Sequence, residues 1–193
     1  MKSVCVFCGS SPGINGAYAD NAQGLGRMLA DTDITLVYGG GHVGLMGVVA
    51  DSVLEAGGTV IGVMPRALVE REISHSGLTE LHVVGSMHER KAIMAELAEG
   101  FIALPGGTGT LEEFFEVLTW AQLGEHQKPC GLLNTAGYYD PLLQFFDHMV
   151  EQRFLKEEHR ALMLVEENPE SLLGRFATYE PPKTAKWLDR GER

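Results

Sequence analysis

The sequence predicts one α/β domain built on a doubly wound, Rossmann-like parallel sheet with helices on both faces. Three observations carry that prediction. Short β-branched or apolar runs alternate with longer helical patterns along the chain. The runs are apolar at nearly every position, as strands covered on both faces must be. Glycine- or hydroxyl-rich turns follow several of them, where open α/β sheets bind their ligands.

Candidate strands are 3–8 (SVCVFC), 34–38 (ITLVY), 59–63 (TVIGV), 80–84 (ELHVV), 101–104 (FIAL) and 129–133 (PCGLL). Helices are expected near 17–31, 43–56, 87–98, 109–123 and 138–152. A last helix near 169–177 follows "ENPE", where Asn168 can cap and Pro169 suits the first turn. In the helix from 87, Ser86 is placed to cap, and Glu89 three residues later completes a capping box. Met87, Met94 and Leu97 are expected in the core, with Ile93 partly so. In the helix from 109, Leu111, Phe114, Phe115 and Leu118 keep the i, i+3, i+4, i+7 spacing of a buried stripe. Thr108 or Thr110 can cap it. Residues 1–179 are read as one domain. The remainder, 180–193 (EPPKTAKWLDRGER), is broken by proline and charged, and is expected to lie over the surface with Trp187 as a packing anchor.

With 193 residues, 45% of them hydrophobic and 21% charged, the chain has the make-up of a soluble domain with a real core. A net charge of −11 argues against nucleic-acid binding, which needs a basic footprint. An anionic ligand must then be captured locally, by backbone N–H groups and a few cations. No apolar run reaches membrane-spanning length, and the apolar start is too short and strand-like for a signal peptide, so a cytoplasmic location is the default expectation. Cys5 and Cys8 form a CxxC, but residues three apart on a strand point to opposite faces. That separation is beyond disulfide reach, and no second Cys/His pair supports zinc. The seven histidines show no metal-ligand spacing, so no metal and no cofactor is expected.

The chemistry gathers in the loops. Strand one runs into "CGSSPG" (8–13), bringing Gly9 and Ser10, and strand two into "GGGHVGLMG" (39–47), bringing Gly40 and Gly41. The fifth runs into "PGGTGT" (105–110). Such turns let backbone N–H groups approach a phosphate closely. Gly39, Gly41 and Gly44 formally satisfy GxGxxG, but the next strand ends in Met64-Pro65 where a dinucleotide site wants an acidic residue. No lysine follows either glycine loop, so no P-loop is present. Two charge placements stand out. Arg90 and Lys91 sit near a helix start, where the macrodipole disfavours cations; a nearby anion would explain them, as would ion pairs on a solvated face. Glu112 and Glu113 follow a loop that itself looks built for an anion, although carboxylates in a first helical turn also stabilise the dipole unaided.

"PGGTGTLEE" (105–113) with the upstream "MHERK" (87–91) resembles the LOG (Lonely Guy) family, long labelled lysine decarboxylases. Its PGGxGTxxE signature is matched without a break from Pro105 to Glu113. The resemblance covers most of the chain, including "CVFCGSS", "LVYGGGHVGLMG", "VIGVMP", "EREI", "LTWAQLG" and "KPCGLLNTAGYYDPLL". It implies a cytokinin riboside 5′-monophosphate phosphoribohydrolase, which cleaves the N-glycosidic bond of N6-modified AMP to free base and ribose 5-phosphate. By the same resemblance Arg90 and Glu113 match the catalytic pair. Glu72, Lys91, the loop residues Gly106, Gly107, Thr108, Gly109, Thr110 and Glu112, and Thr119 match substrate contacts. A homodimer whose partner helps complete each site is also implied.

Departure of an N-linked base leaves an oxocarbenium-like sugar, so positive charge develops beside the ribose. A carboxylate there stabilises it and can orient or deprotonate the attacking water. By helical wheel either Glu112 or Glu113 can face the ribose; the family pattern favours Glu113. Arginine keeps its charge at ordinary pH, so electrostatic help from Arg90 is more natural than proton donation. The decarboxylase label finds little in the residues. Pyridoxal-phosphate chemistry needs a Schiff-base lysine and an acidic partner for the ring nitrogen, and nothing marks such a partner for Lys91. A carrier of a phosphorylated cofactor, such as the molybdenum cofactor, is the competing reading; it would use the glycine loops without needing both Arg90 and Glu113.

Overall fold

The computed structural model describes residues 1–71 and 74–182. Seven strands form one sheet: β1 (Ser3–Phe7), β2 (Thr35–Tyr38), β3 (Val60–Pro65), β4 (Glu80–Val84), β5 (Phe101–Ala103), β6 (Cys130–Leu133) and β7 (Met163–Glu166). Their order is β4-β3-β2-β1-β5-β6-β7, and every neighbouring pair is parallel. The helices are α1 (Gly16–Asp31), α2 (Gly44–Glu55), α3 (Arg66–Val69), α4 (Met87–Leu97), α5 (Thr108–Leu123), α6 (Asp140–Glu151), α7 (Glu157–Arg160) and α8 (Pro169–Ala177). The doubly wound α/β reading holds.

Strand β7 and the single turns α3 and α7 had no counterpart in the expected elements. β7 lies mostly in the apolar run 161–165 (ALMLV), whose Ala, Leu and Met suit a helix as well as a strand, and only its first two residues are buried. Four-residue helices are too short to show a period. Of the tail, residues 180–182 are described; Trp187 lies outside the described residues.

Each face of the sheet carries its own core. On one, Val4, Val6 and Cys8 pack with Leu25 and Leu29 of α1, Val49 and Val53 of α2, and Leu172 and Phe176 of α8. On the other, Cys5 and Phe7 pack with Met94 of α4, Phe114, Val117 and Leu118 of α5, and Phe146 of α6. The period of two along β1 separates the CxxC thiols in this way, leaving Cys5 and Cys8 as free, buried cysteines. Burial pushes both thiols well above their ordinary range, opposite to what a reactive thiolate needs. Asn168 caps α8 as expected, accepting from the Ser171 N–H at 2.9 Å.

The strand order places the site. From β1 the chain builds outward through β2, β3 and β4, then returns to the other side of β1 to lay down β5, β6 and β7. The loops leaving β1 and β5 therefore diverge to opposite faces, opening a crevice between neighbouring strands. On the face that carries them, α1 and α2 approach closely at Gly26. A Cβ added there would stand 2.7 Å from both the Ser52 Cβ and the Val49 carbonyl oxygen, and the Ser52 hydroxyl donates to the Gln23 carbonyl at 2.7 Å. Gly26→Val must therefore push the helices apart. The expected outcome is a loss of about 1–3 kcal/mol, read as a lower urea midpoint.

Candidate active site

Helix α4 starts at a firm cap. The Ser86 hydroxyl accepts from the Glu89 N–H at 3.1 Å, and the Glu89 carboxylate accepts from the Gly85 N–H at 2.7 Å. The return bond thus goes one residue before the cap, where a standard capping box would close on the cap itself. Met94 is buried, but Met87 is 44% exposed. The core placement expected for Met87 is corrected: its sulfur lies 3.9 Å from the Arg90 Nη1 instead.

Arg90 leaves the end of the first turn and crosses under the strand ends. Its Nε donates to the Val63 carbonyl at 3.0 Å, and its Nη1 meets the Glu113 Oε1 at 2.9 Å. Both side chains are nearly buried, at 11% and 12% exposure. The guanidinium rests on Gly39, where any Cβ would overlap the Nη2. This glycine is a packing requirement of the arginine, and sequence reading had placed it only within a formal dinucleotide pattern. Burial raises the Glu113 carboxyl above the ordinary glutamate range; the Arg90 charge opposes this and Glu112 adds to it.

Helix α5 begins differently. Its cap is Gly107, with no side-chain cap bond, so Thr108 and Thr110 do not cap as expected. Thr110 is buried with its hydroxyl tucked under Gly106. The first-turn N–H groups have no carbonyl one turn earlier to bond, and Gly107, Thr108 and Gly109 are exposed. The loop before them is tied across the switch point, with the Gly9 N–H donating to the Pro105 carbonyl at 3.1 Å.

These parts meet in one cavity of about 350 Å³, within the size range of small-ligand sites. Gly9, Ser10, Gly41, Arg90, Gly107, Thr108, Gly109, Thr110 and Glu113 all line it, so nine of the residues singled out in the sequence converge. Cys8, Gly39, Met46, Met64 and Leu68 also line it and were not among them. Met64 flanks a strand end that had been read only for its missing acid, and Leu68 belongs to the single turn α3. Gly106 lines a neighbouring cleft instead. Gly40 lies behind the wall at φ +79°, its carbonyl accepting from the His75 N–H at 2.8 Å.

Among the described residues, Lys91, Glu112 and Thr119 stand outside the cavity lining. Lys91 turns away from Arg90 to meet Glu112 at 2.6 Å and Glu116 at 3.1 Å. Thr119 is exposed further along α5. Glu72 lies outside the described residues. Of the two glutamates, Glu113 lines the cavity and Glu112 meets Lys91.

A crevice at the reversal of strand order, with an open helix start and a buried ion pair on its wall, makes this a Rossmann-type α/β protein with a small-ligand cleft. Sequence comparison narrows the class. Residues 46–176 match a family model described as "possible lysine decarboxylase". A cytokinin riboside 5′-monophosphate phosphoribohydrolase from Rhodococcoides fascians is 54% identical over 165 residues, covering 85% of this chain and 83% of the relative. One from Arabidopsis thaliana is 49% identical over 181 residues, covering 94% of this chain and 79% of the relative. The chain belongs to the LOG family. Among solved structures, the molybdenum cofactor binding protein of Rippkaea orientalis superposes with a TM-score of 0.69 at 21% identity, over 92% of this chain and 97% of the other. That likeness shows the shared fold.

The decarboxylase description does not fit the cleft. Hydrogen bonds to Glu112, then to Glu116, raise Lys91 above the ordinary lysine range, whereas a Schiff-base lysine is activated by a lowered one. Because burial and Arg90 pull Glu113 in opposite directions, Arg90→Gln should lift the Glu113 carboxyl further, as read by a ¹³C-NMR titration. The sign for stability follows. Between the ordinary glutamate value and the raised one the folded variant binds the extra proton, so its stability should fall as pH rises through that window.

Proposed function

We propose that this chain hydrolyses the N-glycosidic bond of adenosine 5′-monophosphates, N6-modified or plain, releasing free base and ribose 5-phosphate. The observation that carries this reading is the Arg90–Glu113 pair buried beside the uncapped start of α5. The names of the relatives support it. The N–H groups of Gly107 to Thr110 take the 5′-phosphate at the positive end of the α5 dipole. Glu113, one to two turns further on, lies beside the ribose.

In the reaction the bond from C1′ to the base nitrogen breaks, and the electron pair leaves with the base. Charge builds on C1′, where the Glu113 carboxylate stabilises it. Water adds to C1′, and Glu113 accepts its proton. Arg90 orients the nucleotide and favours the negative charge gathering on the departing base. The base regains a proton at nitrogen, which closes the balance. A carrier of a phosphorylated cofactor would need the open helix start and the glycine loops, but it has no task for a carboxylate beside the bound sugar.

Residues 1–179 act as one hydrolase domain, and the cytoplasm is the expected compartment. No helix among the described residues is long and apolar enough to cross a membrane. In this reading the protein is a homodimer. Lys91, Glu112 and Thr119, which do not line the described cavity, would then contribute near the subunit interface.

Purified protein incubated with AMP or isopentenyladenosine monophosphate should release adenine or isopentenyladenine, followed by chromatography. Intact nucleotides after prolonged incubation would count against the hydrolase. Glu113→Gln should lower kcat by about 100-fold or more with the fold retained by circular dichroism. The wild-type rate should fall as pH drops through the Glu113 pKa, since only the carboxylate stabilises the cationic sugar. That acid limb should lie above the ordinary glutamate range, because burial raises this group.

A further inference from the structure

The glycine loop before α5 is held by three successive carbonyls. The Tyr139 hydroxyl donates to the Leu104 carbonyl at 2.6 Å, the Gly9 N–H to the Pro105 carbonyl at 3.1 Å, and the Tyr138 hydroxyl to the Gly106 carbonyl at 2.6 Å. Both tyrosines come from the turn after β6. Asn134 braces that turn, accepting from the Tyr139 N–H at 2.7 Å and donating to Asp140 at 2.8 Å. Edge-on contacts with Tyr18 at 5.5 Å and Tyr139 at 5.0 Å hold the Tyr138 ring.

Carbonyl and N–H of one planar trans peptide point in opposite directions. Fixing the Gly106 carbonyl on Tyr138 therefore turns the Gly107 N–H away from Tyr138. Tyr138 lines the smaller cleft, of about 290 Å³, and Gly107 forms part of the wall of both cavities. The companion bond has a different consequence. The peptide whose carbonyl Tyr139 holds ends on the nitrogen of Pro105, which has no N–H to aim.

We propose that Tyr138 is a positioning residue for the 5′-phosphate: its bond to the Gly106 carbonyl aims the Gly107 N–H at the phosphate site of the larger cavity. Tyr139 anchors the same loop without aiming a donor. The assignment rests on the hydrolase reading above for its substrate, and the phosphate arm of the test is independent of turnover.

Wild-type, Tyr138→Phe and Tyr139→Phe proteins are compared on AMP and adenosine, and each is titrated with ribose 5-phosphate by calorimetry. In Tyr138→Phe, the KM for AMP and the Kd for ribose 5-phosphate should rise about three- to tenfold, the loss expected of one neutral hydrogen bond. Its kcat should stay within about twofold and its action on adenosine should not change, so the preference for AMP falls by the same factor as the KM rises. Tyr139→Phe should lower the melting temperature and keep the wild-type preference for AMP. Unchanged ribose 5-phosphate affinity in Tyr138→Phe overturns the assignment, as do equal losses on AMP and adenosine or the same loss of preference in Tyr139→Phe. A wild-type protein that releases no base sinks the hydrolase reading alone; the ribose 5-phosphate titration still decides the role of Tyr138.

Discussion

A guanidinium and a carboxylate held nearly dry at the end of a parallel sheet are tolerable only together. Either one alone would be a buried, uncompensated charge, a cost of about 3–5 kcal/mol when one partner of such a pair is removed. Much of the surrounding structure answers that constraint. Gly39 has no side chain because the Arg90 guanidinium occupies the space. The Val63 carbonyl at the β3 end takes the Nε proton, and the firm cap at Ser86 fixes where α4, and so Arg90, begins. Lys91, the adjacent cation, has its own carboxylates on α5 and does not compete for Glu113.

The same helix serves two opposite electrostatic demands. Its start, capped only by Gly107, presents bare N–H groups and the positive end of the dipole to an anion. Glu113, in the second turn, presents negative charge to the same cavity. In the proposed reading the two coexist because a nucleotide is itself polarised along its length, with fixed negative charge at the phosphate and transient positive charge at the sugar carbon. Strand order supplies the room: β1 and β5 are neighbours whose following loops leave on opposite faces, and the bond from the Gly9 N–H to the Pro105 carbonyl keeps the two loops in register.

Among the described residues, six of the seven strands and six of the eight helices were legible because strong local signals marked them. The apolar runs of β1 to β6 stand between turn residues, and the caps at Ser86 and Asn168 act over three residues. β7 was passed over because its short apolar run, 161–165 (ALMLV), is made mostly of residues that suit a helix as well as a strand, and too few of them to show a period. Met87 illustrates the opposite error: helical spacing assigned it to the core, but the first turn of α4 lies over the cavity rim, where its neighbour is Arg90. Thr108 and Thr110 had the right chemistry for a cap, yet Gly107 took that position and Thr110 was drawn beneath Gly106.

By itself the sequence determined the parallel α/β architecture, the separation of Cys5 from Cys8, and the glycine loops that would face a ligand. All of these follow from periodicity and backbone chemistry that operate within a few residues. It also singled out Arg90 and Glu113, through a cation at a helix start and a signature whose meaning came from resemblance. Only the tertiary structure decided that these two residues, 23 positions apart in the chain, meet at 2.9 Å. Only it sent Glu112 to Lys91 and Glu113 to the cavity, and only it showed Gly39 as the seat of Arg90 and Tyr138 as the brace of Gly106. The physical reason is the same in each case. Helical and strand periods say which residues share a face, but a contact between elements depends on the order and twist of the sheet that carries them.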